Sequence, residues 1–169
     1  DSKSSCGRLL IGLLQDENDL MMLEAAKLLG DIGYRPSVRA LLNCLEYPSP
    51  FRRRMAAHAL GFLYENSTAS ELMRHARTDS SPEVRREAIE ALGWFAGTKV
   101  VRRVIDGLSE LAKDADPGIR YSTAYSLAEI CHPNAERALQ LLSQDETVTE
   151  WGRISDEAKR GLERLRNTA

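Results

Sequence analysis

Aromatic residues make up only 6% of this 169-residue chain, and it has three cysteines, six prolines and no long hydrophobic run. Each scarcity excludes something. Three cysteines are an odd number without regular spacing, which fits a reducing compartment better than a disulfide framework, so the expected location is cytoplasmic. No stretch approaches the roughly 20 apolar residues that cross a bilayer, and no signal peptide is visible, so no membrane role is expected. Cys6, Cys44 and Cys131 with His58, His75 and His132 form no CxxC, HxxxH or HExxH spacing, so no metal site is read. There is no glycine-rich phosphate loop and no Ser-His-Asp nucleophile motif, so no cofactor and no catalytic residue are assigned. The formal charge of −2 gives no general attraction to nucleic acid or anionic lipid. The chain starts at Asp1 rather than Met, which reads as a processed or excised piece.

What is present is a repeat. Asp79-Ser-Ser-Pro-Glu-Val-Arg-Arg-Glu-Ala-Ile-Glu-Ala-Leu-Gly-Trp-Phe95 carries a helix with its start signal: Ser81 to cap the first amides, Pro82 at the first helical position, and Val84, Ala88, Leu92 and Phe95 within one half-turn. Leu92-Gly93 recurs as Leu60-Gly61 and Leu29-Gly30, and as Leu127-Ala128 in the fourth copy. The glycine positions 30, 61, 93 and 128 lie 31, 32 and 35 residues apart. Pro50, Pro82 and Pro117 each precede Arg53, Arg85 and Arg120 by three residues and follow Ser49, Ser81 and Asp116 as caps. In the first copy Asp19 replaces the proline and Met22 the arginine.

The pattern Asp79…Pro82-x-Val84-Arg85-x-x-Ala88-x-x-Ala91-Leu92-Gly93 resembles the HEAT repeat, in the short form also found in phycobilisome-lyase-like repeat proteins. The resemblance spans nearly the whole chain. It implies an all-α, right-handed α-solenoid of about five helical pairs in one domain, with repeats near 5–33, 34–65, 67–97, 98–132 and 134–167. It also implies that Arg53, Arg85 and Arg120 bond to turn carboxylates such as Asp79 and Asp114, stitching neighbouring repeats; Tyr47 breaks that pattern in the second copy. The His-Glu metal motifs of HEAT-fold hydroxylases are absent.

Along the chain, the expected order starts with a frayed Asp1–Ser5 and helices over 7–15, 19–32, 36–45 and 52–64. A Thr68/Glu71 capping box opens the next helix, through Arg77. Further helices cover 82–97, 100–113 and 118–131, and Asn134 caps 135–143. A polar connection over 144–155 leads to a charged capping helix, 156–166. A helix-interior glycine costs about 1 kcal/mol against alanine. Repeating it at Gly30, Gly61 and Gly93 therefore points to close helix approach between repeats.

In a HEAT solenoid the second helix of each pair lines the concave side. The exposed arc of those helices holds Leu23, Lys27 and Asp31 in copy one and Arg54, His58 and Phe62 in copy two. Copy three supplies Arg86, Glu90 and Trp94, and copy four Tyr121, Tyr125 and Glu129. Four aromatics on one expected surface of an aromatic-poor chain mark a protein or peptide partner; packing of Phe62 and Trp94 between repeats is the competing reading. The expected function is a non-catalytic scaffold or adaptor. The alternatives are a tetrapyrrole lyase-like subunit and a HEAT-like DNA-repair protein. Arg52-Arg53-Arg54, Arg85-Arg86 and Arg102-Arg103 offer a phosphate track, but acidic residues interrupt each cluster, so nucleic acid is disfavoured.

Overall fold

The computed structural model describes residues 2–168. Among them are ten α-helices: α1 Ser2–Leu13, α2 Asp19–Asp31, α3 Val38–Cys44, α4 Pro50–Leu63, α5 Ala69–Thr78, α6 Pro82–Gly93, α7 Val101–Leu111, α8 Pro117–Ile130, α9 Glu136–Leu142 and α10 Ile154–Thr168. Short 3₁₀ turns at Arg35–Ser37, Asn66–Thr68 and Pro133–Ala135 lead into α3, α5 and α9. A two-residue antiparallel hairpin, β1 Val148–Thr149 and β2 Gly152–Arg153, precedes α10. The architecture is an all-α solenoid of paired helices.

Sequence punctuation sets the starts of four helices, α2, α4, α6 and α8. Asn18 accepts a hydrogen bond from Leu20 N at 2.9 Å, and Asp116 one from Gly118 N at 2.8 Å. Ser49 and Ser81 accept longer ones, 3.4 Å each, from Arg52 N and Val84 N. These satisfy amides that a helix leaves without partners at its first turn. Two expected starts are corrected. Thr68 spends its hydroxyl on Glu65 O, and Glu71 pairs with Arg74, so no capping box forms. Asn134 caps nothing; instead its own N–H is taken by His132 Nδ1 at 3.2 Å, ahead of a 3₁₀ turn. Helix ends are set by left-handed residues at Tyr64 and Cys131. The frayed start is corrected too, because Ser2–Ser5 already belongs to α1; Asp1 lies outside the described residues.

The molecule divides into two compact units, 1–91 and 92–169. In the first, Leu14, Met22, Leu29, Leu41, Leu45, Leu60, Leu72 and Ile89 are fully enclosed. In the second, Phe95, Ile105, Leu108, Leu127, Leu139 and Ile154 fill the same role. Each contributes about 1.5–3 kcal/mol of apolar burial against exposure. The predicted stripe is buried at all four positions, Val84, Ala88 and Leu92 in α6 and Phe95 just past its end.

The recurrent glycines sit where one second helix crosses the next. A Cβ on Gly30 would lie 3.2 Å from Phe62 Cβ; on Gly61, 2.8 Å from Ala91 Cα; on Gly93, 3.3 Å from Ser126 Cβ. The fourth crossing inverts the roles. Ala128 takes the glycine position, and Gly161 of α10 supplies the missing side chain's space, its Cβ falling 2.8 Å from that of Ala128.

Candidate protein-docking face

The arginine row that invites a nucleic-acid reading is largely committed to the turns. Arg53 donates to both carboxylate oxygens of Asp79, at 2.9 and 2.8 Å, and to the carbonyls of Tyr47 and Pro48. Arg120 repeats the geometry on Asp145 at 2.7 Å and on the carbonyls of Asp114 and Ala115. In both cases the carbonyls lie six and five residues before the arginine, and the carboxylate belongs to the following turn. Copy one, with Met22 in place of arginine, is completed from outside. Arg52 reaches back to the carbonyls of Asp16 and Glu17, six and five residues before Met22, and to Asp19. Tyr47, at the odd turn position, stacks under Arg52 at 5.6 Å and donates to Gln15 at 2.5 Å. The sequence analysis reads Arg52 only as part of a basic cluster and does not mark Asp145, because neither stands at the register of the repeat motif.

The carboxylate of Asp79 also accepts from Ser81 N at 2.9 Å and pairs with the buried His75, Nδ1 to Oδ2, at 2.9 Å. Burial opposes the charged form, but the Arg53 guanidinium, the Ser81 amide and His75 outweigh it. The Asp79 carboxyl is held down at about 2.

In the first unit the expected partner-binding positions gather around His58. Its Nδ1 lies 2.8 Å from Glu87 Oε1, and its ring meets Phe62 edge-on at 5.0 Å. Glu87 raises the affinity of His58 for its proton against the opposing effect of burial, with help from the charges of Asp31 and Glu90. Leu23, Lys27, Met55, His58 and Glu87 line a hollow of about 170 Å³. Phe62 is half-buried, its Cβ 3.2 Å from where a Cβ on Gly30 would lie. Arg54 is half-buried, with its guanidinium 5.9 Å from the Phe51 ring. Arg86 is half-buried and Glu90 exposed.

In the second unit three aromatics are exposed, while Phe95 is enclosed. Trp94 is 55% exposed and Tyr125 40%. Tyr121 is half-buried and stacks at 6.1 Å on Trp151, a residue of the hairpin turn that is itself 44% exposed; its hydroxyl donates to Trp151 O at 3.0 Å. Gly152 has φ 139°, a backbone conformation that favours glycine, and a Cβ added there would lie 3.6 Å from the Tyr121 ring. Arg160 lies 5.7 Å over Tyr125, and Glu129 accepts from Arg160 at 3.1 Å and Arg164 at 2.7 Å. Trp151, Arg160, Arg164 and Glu87 escaped the sequence reading. Glu87 carries no mark in the repeat pattern, and the polar connection hid the hairpin, although Thr147-Val148-Thr149 followed by Gly152 is a strand-and-turn signal.

Among the described residues no helix is long and apolar enough to cross a membrane.

Paired helices, glycine crossings and an arginine-to-turn ladder define a helical-repeat protein. Family profiles of HEAT repeats match residues 8–93 and 69–153, and the chain belongs to that family. No curated protein matches the sequence significantly. Solved structures show the same fold. A chain from the complex of CpcE and CpcF of phycocyanin lyase from Nostoc sp. PCC7120 is 18% identical, with a TM-score of 0.76 over 94% of this chain and 99% of that one. A designed armadillo repeat protein in complex with the peptide (KR)4 is 20% identical, with a TM-score of 0.67 over 92% and 80%. An engineered protein is 21% identical, with a TM-score of 0.66 over 95% and 79%.

Proposed function

We propose that this chain is a non-catalytic scaffold that binds a protein or peptide on the second-helix, concave face of its repeats. The carrying observation is the open aromatic group of the second unit, Trp94, Tyr121, Tyr125 and Trp151, set among paired charges. Large aromatics ringed by polar groups are what interface centres favour. In the first unit, taken by itself, the expected docking positions are Arg54, His58, Phe62, Arg86 and Glu90. The Nostoc neighbour is described as a complex of two proteins, and the designed neighbour holds a peptide; both support a partner of this kind. Lyase-like and DNA-repair roles rest on no observation of this chain's own residues.

The test is photo-cross-linking in source lysate, with benzoylphenylalanine at position 90 on the docking face or at position 102 on the exposed side of α7. The scaffold reading expects a discrete adduct from position 90 and none from position 102. Equal labelling from both, or from neither, overturns it.

A further inference from the structure

We draw no further inference here: the strongest candidate, the exposed apolar patch of the first helical pair with Leu9 in α1 and Leu20, Met21 and Leu28 in α2, carries nothing because nothing in the structure shows what covers it.

Discussion

Each oxygen of the Asp79 carboxylate accepts from the Arg53 guanidinium, and the Ser81 amide and buried His75 complete its shell. Asp79 therefore ties its own turn to α4, α5 and the start of α6 at once. Its carboxyl, lowered from 3.8 to about 2, makes the acid limb of stability predictable. A group whose folded pKa is depressed contributes fully above its unfolded value and loses the contribution as pH falls toward the folded one. Stability should therefore hold above about pH 4 and decline toward pH 2, by about 2 kcal/mol from this residue. Asp79→Asn should be destabilised near neutrality and lose that part of the acid limb, as urea melts at pH 2.5, 4 and 7 would show. A parallel acid limb in the variant would contradict the assignment. His58 titrates in the opposite sense. Its proton affinity is raised by Glu87, so its pairing stabilises below the ordinary histidine range and is lost as pH rises through the folded value. With His58 partly solvated, that contribution is small.

At the scale of helices, the glycine row and the hairpin show how far the sequence carries. Gly30, Gly61 and Gly93 were legible as close approaches because a helix-interior glycine is costly and was repeated in phase. The crossing at Gly161 was not, because the small residue had moved to the partner helix. The glycines also permit an internal control. Gly61→Ala gains helix propensity of up to about 1 kcal/mol, yet its methyl would lie 2.8 Å from Ala91 Cα, a backbone atom that cannot step aside. Net destabilisation of about 1–3 kcal/mol is expected. Gly12→Ala in α1 meets nothing within 4 Å and should stabilise by a few tenths to about 1 kcal/mol. Chemical melts of the two variants should move in opposite directions; movement together would sink the close-approach account. The hairpin offers a second check. Tyr121→Phe keeps the ring and removes the bond to Trp151 O, so the near-ultraviolet tryptophan signal should weaken with a stability loss of about 1 kcal/mol. An unchanged spectrum would mean that the hydroxyl does not fix the Trp151 ring. Helix order and glycine phase were readable from period and punctuation. The hairpin was not, because two-residue strands leave little periodicity to read. The Arg52 contact to the first turn was hidden for another reason: the replacement came from a different repeat than the vacancy at Met22.

For the whole molecule, family membership explains the architecture and leaves the task to the exposed positions. The repeat phase of Arg54, His58, Phe62, Arg86, Glu90, Trp94, Tyr121, Tyr125 and Glu129 was read from sequence, and each of them lies outside the fully buried core. They divide in character. Phe62 is half-buried on Gly30, and Glu129 is tied to two arginines, whereas Trp94 is more than half exposed. Trp94 is therefore the position where partner binding and fold stability separate most cleanly. The decisive measurement is the dissociation constant of the partner cross-linked from position 90, taken with the parent, Trp94→Ala and Arg102→Ala proteins, with a thermal melt of each. The account predicts unchanged melts, about a thirtyfold loss of affinity for Trp94→Ala, as expected of an aromatic anchor worth about 2 kcal/mol, and no loss for Arg102→Ala. Parent-like affinity in Trp94→Ala, or an unfolded Trp94→Ala protein, would contradict it.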